Sequence, residues 1–133
     1  MISHILLSEV ILYVKDLESS ASFYSSLLKS QPDMLAPGMI EFNISDALKL
    51  GLMPESGIAK IIHPVMPHPE SGNGIPRCEL YFYVADVHVE FKHAIKCGAT
   101  IVSEIADRNW GDKVCYFADP DGHIIAFAEK ILR

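Results

Sequence analysis

The alternation of apolar and polar positions lays out two similar halves. The stretch Glu9-Val-Ile-Leu-Tyr-Val14 alternates like a half-buried strand and is rich in β-branched and aromatic residues. Asp16 is placed to cap a helix in which Ala21, Phe23, Tyr24, Leu27 and Leu28 recur at helical spacing up to about Lys29, and Pro32 stops it. Short strand patterns follow over 33–35, 39–44 and 48–53, with Pro37-Gly38 and Ser45-Asp46 as turns. A second strand pattern, Glu79-Leu-Tyr-Phe-Tyr-Val84, leads into a helix capped by Asp86, with Val87, Phe91, Ala94 and Ile95 on its apolar side and Gly98 just past its end. Strands are then predicted over 100–104, 113–118 and 123–129. The polar loop 107–112 separates the first two, and Asp119-Pro-Asp-Gly122 forms a hairpin turn between the last two.

The order strand, helix, three strands thus occurs twice, and the residues agree at a constant spacing. Glu9, Tyr13, Val14 and Asp16 recur 70 positions later as Glu79, Tyr83, Val84 and Asp86. The expected fold is α+β, built from two βαβββ modules over 1–53 and 77–133. Between them, 54–76 is a Pro/Gly-rich connection holding five of the eight prolines, with at most short structure expected. Strand periodicity assigns the faces. Val10, Leu12, Val14 and Leu80, Phe82, Val84 point under the helices, while Glu9, Ile11, Tyr13 and Glu79, Tyr81, Tyr83 point the other way. A face mixing acids and phenols suits a pocket wall; the plainer alternative is a solvent-facing sheet.

Composition narrows the function. Half of the 133 residues are hydrophobic and 21% are charged, which excludes a disordered chain and suits one compact domain. The net charge of −6 comes without a basic run, so neither nucleic acid nor an anionic membrane is expected as a partner. No stretch reaches the about 18 apolar residues of a membrane span, and the apolar N-terminus has no basic leader region. The three cysteines, Cys78, Cys97 and Cys115, are widely spaced and odd in number. They are expected to be reduced and mostly buried, and the protein cytoplasmic.

The ordered set Tyr13-Val-Lys-Asp-Leu17, Phe23-Tyr24, Tyr83-Val-Ala-Asp86, Lys96-Cys-Gly-Ala99, Trp110-Gly-Asp112 and Asp119-Pro-Asp-Gly-His123 resembles the vicinal oxygen chelate superfamily. That superfamily includes glyoxalase I, extradiol dioxygenases and bleomycin resistance proteins, and the last of these is the nearest resemblance. It implies paired βαβββ modules curling as a mixed sheet around a cavity, and a homodimer. In metal-dependent members it also implies a divalent ion held by the first and last strands of each module. Carried over, those positions are Glu9 and Gly51 in the first module and Glu79 and Ala126 in the second. Glycine and alanine donate no ligand and imidazole is absent, so no metal and no other cofactor is expected.

The candidate catalytic residues are Glu9 and Glu79, whose mutual repulsion in one cavity would raise a pKa for acid/base work or hold a cationic group. The alternative is two separately paired carboxylates. Tyr13, Tyr81, Tyr83 and Trp110 are candidate ligand-binding residues, offering stacking surfaces and hydrogen bonds. The alternative is cross-strand packing for the tyrosines and loop anchoring for Trp110. His63 and His68 in the connection lack a third ligand and read as surface residues, and His88 and His93 as inert helix positions. The expected function is metal-independent binding and sequestration of a small molecule in an acidic, aromatic-lined dimer cavity. The alternative is a glyoxalase-type lyase or isomerase, or a dioxygenase, using Glu9 and Glu79 with a divalent metal.

Overall fold

A computed structural model describes residues 1–132, so Arg133, the last residue of the 77–133 module, lies outside the described residues. The chain divides into two compact units, the first ending at Asn73 and the second beginning at Gly74. No helix of the described residues is long and apolar enough to cross a membrane.

The first unit comprises β1 (Ser8–Val14), α1 (Leu17–Leu28), β2 (Met34–Ala36), β3 (Met39–Ser45), β4 (Leu48–Pro54) and α2 (Glu55–Ile62), followed by a 3₁₀ turn at Pro69–Gly72. Its sheet runs β1-β4-β3-β2, with β1 parallel to β4 and the other pairs antiparallel. The Asp16 carboxylate accepts a 2.9 Å hydrogen bond from Ser19 N–H, which starts α1. Lys29, left-handed at φ 57°, ends it and donates its N–H back to Ser25 and Ser26. Phe23, Tyr24 and Leu27 are buried on the inner side of α1, and Leu12, Val14, Leu50, Leu52, Ile40 and Phe42 make up the apolar face of the sheet. Val10 departs from the expected set: at the start of edge strand β1 it is exposed.

The connection is more ordered than its composition predicts. Its prolines flank α2 instead of interrupting it. Pro54 caps the start, and Pro64 comes just after His63, the C-cap.

The second unit comprises β5 (Glu79–Tyr83), α3 (Val87–Lys96), β6 (Thr100–Asp107), β7 (Asp112–Ala118) and β8 (Ile124–Lys130), in the order β5-β8-β7-β6. The parallel pair is β5 with β8, so the topology repeats that of the first unit. Asp86 accepts from His88 and Val89 N–H, and Glu129 reaches back from β8 to accept from Val87 N–H at 2.9 Å. The helix start is thereby tied to the last strand. The hairpin turn forms as expected, with Asp119 Oδ1 accepting from Asp121 and His123 N–H and Gly122 at φ +90°. β6 runs three residues beyond the expected end, through two register shifts against β7.

The cysteines also differ from expectation. All three are free, but only Cys115 is buried; Cys97 is half-buried and Cys78, just ahead of β5, is exposed.

Candidate functional site

The second unit brings three of the predicted site residues together around one carboxylate. Val114, Ala126 and Ala128 are fully buried and form an apolar floor against which Tyr81 and Tyr116 pack. The Tyr81 hydroxyl donates to Asp112 Oδ2 at 2.6 Å, and the Tyr83 hydroxyl donates to the same oxygen at 2.8 Å. Trp110 Nε1 donates to the Tyr81 oxygen at 2.9 Å. Asp112 itself is only 3% exposed, whereas Trp110 is 57% and Tyr83 56% exposed. The rings of Tyr81 and Tyr83 stand edge to face at 5.4 Å. The result is a set of open aromatic faces whose polar ends are already fixed.

The electrostatics follow from those bonds. The phenol of Tyr81 donates to Asp112 and the chain of bonds holds the carboxyl below its ordinary value, with Tyr83, the Lys130 ammonium and Trp110 acting the same way against burial. Reciprocally, burial and the bond to Asp112 push the Tyr81 hydroxyl up to about 12. Tyr83 is raised first by its bond to Asp112. Both phenols therefore stay protonated and donating. Lys130 Nζ lies 5.0 Å from the Tyr83 ring centroid, a cation–π arrangement on the same strand end.

Arg108 was not singled out in the sequence, yet it borders this face. Its guanidinium stands 5.5 Å from the Tyr116 ring centroid, and Nη2 donates to Ser103 Oγ at 3.0 Å. Its Nε is buried without a hydrogen-bond partner. Burial raises the Tyr116 hydroxyl, the Glu79 carboxylate adds to this, and Arg108 opposes it. Glu79, exposed at the start of β5, lies on the same strand face as Tyr81 and Tyr83.

Glu9 and Tyr13 belong to the first unit, on one face of β1. Tyr13 is 38% exposed. The carboxyl acting on Glu9 is Glu41 of β3, a partner the sequence reading did not name. Between β1 and β3 runs β4, where Gly51 is paired with Ile11 on one side and Glu41 on the other. A Cβ on Gly51 would stand 2.5 Å from Glu9 Oε2, so the glycine provides the space for the Glu9 carboxyl. That oxygen is buried and meets no donor, and two carboxyls form a hydrogen bond only when one carries a proton. Lys49 Nζ pairs with Glu41 at 3.4 Å from the open side.

These positions also test the metal centre that the resemblance implies. Ile11 pairs with Gly51 as Tyr81 pairs with Ala126, so Gly51 and Ala126 occupy equivalent places in the two sheets. Neither offers a donor atom. Glu9 has one carboxyl neighbour and a lysine that already supplies positive charge, and Glu79 joins no cluster of three ligating groups among the described residues. The donor set does not fit that centre.

Glu9 is pushed above its ordinary value, chiefly by burial, then by the hydrogen bond and charge of Glu41, with Lys49 pulling down. The fold therefore favours its protonated form. That stabilisation is complete below the ordinary value of 4.5 and is lost as pH rises through the raised one. Glu9→Gln removes the charge and keeps a donor for Glu41. It is expected to raise the thermal unfolding midpoint by a few degrees near pH 8, with the gain shrinking towards about pH 4. A gain independent of pH would rule out this account.

One group of three potential ligands does occur: Asp86, His88 and Glu129, with ligating atoms within 4.8 Å of one another. His88 is therefore less isolated than its helix position suggested. Both carboxylates, however, already accept the first N–H groups of α3, and the capping role explains their convergence.

The fold agrees with the comparisons to known proteins. The glyoxalase-like domain family matches residues 7–132, and the chain belongs to that family. An uncharacterised protein of Mycobacterium bovis is 30% identical over 115 residues, spanning 84% of this chain and 75% of its own length. A glyoxalase-related enzyme from Fulvimarina pelagi superposes with a TM-score of 0.79 at 21% identity, over 93% of this chain and 87% of its own. A glyoxalase/bleomycin resistance protein/dioxygenase from Nocardioides gives 0.78 at 19% identity, over 98% and 87%. At those identities the structural likeness speaks for the fold, that of the vicinal oxygen chelate superfamily.

Proposed function

We propose that the protein binds and sequesters a small planar molecule on the aromatic face of the second unit, without a metal. The observation that carries this reading is the Tyr81–Asp112–Tyr83–Trp110 network. It fixes the polar ends of the rings while leaving Trp110 and Tyr83 more than half exposed. Rings held in advance lose little freedom on stacking, which favours binding. The half-buried Arg108 guanidinium, 5.5 Å from the Tyr116 ring centroid, adds a positive charge beside the face, suited to a carboxylate on the ligand. The resemblance to bleomycin resistance proteins adds the homodimer to the reading.

Trp110 is the only tryptophan, so its fluorescence reports on this face alone. A panel of planar aromatic carboxylates is expected to contain members that quench it saturably and are recovered chemically unchanged. Tyr83→Ala and Arg108→Gln should each weaken that binding about tenfold, the loss of a stacked ring or a charge-assisted bond. Binding equal to the parent in both variants would refute the site. Stoichiometric manganese, iron, nickel or zinc in protein purified without chelator would overturn the metal-free reading.

A further inference from the structure

The ordered connection builds a pocket that the reading above does not use. Ser56, Ala59, Lys60 and His63 of α2 and its C-cap line it together with His68. Its volume is about 400 Å³, within the range of small-ligand sites. Three of these residues, Ser56, Lys60 and His63, lie at i, i+4 and i+7 along α2 and its C-cap, so one helix face presents them together. Ala59, one turn in from Ser56, is buried and contributes only a methyl group, which keeps the floor low and apolar.

The polar groups are both available and oriented. No hydrogen bond or ion pair occupies the side chains of Ser56, Lys60 or His63 among the described residues. His68 is pinned: its Nδ1 accepts the Glu70 N–H at 3.1 Å as the cap of the 3₁₀ turn. Its neutral ring must then carry the proton on Nε2, which makes the free nitrogen a donor. A hydroxyl, an ammonium and two imidazoles thus line one small space, and no carboxylate lines it. In a chain of net charge −6 that is a local exception.

We infer that this pocket binds a small organic oxyanion, a carboxylate or phosphate monoester on a short apolar body. Lys60 supplies the charge, Ser56 and His68 donate to the oxygens, His63 closes the ring of contacts, and the Ala59 floor takes the apolar body. The inference is independent of the aromatic face, because every residue it uses lies in the first unit.

The test is an NMR titration of the intact protein with phenyl phosphate, with benzoate, and with phenol as the uncharged body. Either anion should move the imidazole resonances of His63 and His68 saturably, and phenol should not. Whichever anion binds more tightly assigns the source of the oxyanion. Lys60→Gln, at an exposed position where the fold is expected to tolerate it, should weaken the effect at least about tenfold. Three results each overturn the inference: no saturable shift with either anion, equal shifts with phenol, or undiminished affinity in Lys60→Gln.

Discussion

Asp112→Ala is expected to lower the thermal unfolding midpoint by about 5 °C or more and to weaken ligand binding at the aromatic face at least about tenfold. One oxygen, Oδ2, accepts from both Tyr81 and Tyr83, so a single truncation leaves two phenol hydroxyls without their acceptor. Trp110 depends on the same carboxylate at one remove, since its Nε1 donates to the Tyr81 oxygen. The rings then lose the alignment that made them a binding surface. Asp112→Asn keeps an acceptor oxygen but loses the charge, and should fall between parent and alanine in both measurements. The pH dependence has a definite sign. A carboxyl held below its ordinary value contributes stability that is present above the ordinary 3.8 and lost as pH falls through the lowered value. Trp110 fluorescence should therefore stay constant from neutral pH down to about 4 and change only below it. A parent-like midpoint and parent-like binding in Asp112→Ala would show that the network holds nothing in place.

The sheets were legible in the sequence because their information is local and repeated. The 70-residue spacing of Glu9, Tyr13, Val14 and Asp16 with Glu79, Tyr83, Val84 and Asp86 marks the same strand-to-helix turn twice, and both turns form with Asp16 and Asp86 as caps. The site was legible only as a roll of residue types. Tyr81, Tyr83 and Trp110 do converge, but what joins them is Asp112, at the start of β7. β5 and β7 are not neighbours; β8 runs between them. The tyrosines reach across because β8 presents Ala126 and Ala128 there, side chains too small to block them. The first unit does the same thing with a different outcome. Gly51 on β4 leaves the gap in which Glu9 of β1 and Glu41 of β3 come under each other's influence. The small residues that fail as metal ligands are thus what lets side chains two strands apart meet. Strand alternation cannot reveal that, because it orders residues along one strand and not across three.

Phe117→Ala should have the largest effect on stability, about 3–5 kcal/mol, the usual cost of emptying an aromatic side chain's place in a core. Phe117 is fully buried, and its ring meets that of Phe91 on α3 at 5.4 Å. It is also one residue from Tyr116, so β7 carries the core on one face and the binding surface on the other. That alternation separates two kinds of damage. Phe117→Ala removes packing under the helix but leaves Asp112, Tyr116 and the alanine floor as they were. Molecules of this variant that remain folded, at a temperature low enough to keep them so, should bind an aromatic carboxylate as the parent does. Asp112→Ala should show the reverse: most molecules folded, few competent to bind. Denaturant unfolding and Trp110 titration on the same two samples read both quantities. If folded Phe117→Ala loses binding as fully as Asp112→Ala, the aromatic face is held by the core beneath it. The hydrogen bonds to Asp112 would then be a consequence of the packing and not the cause of the site's order.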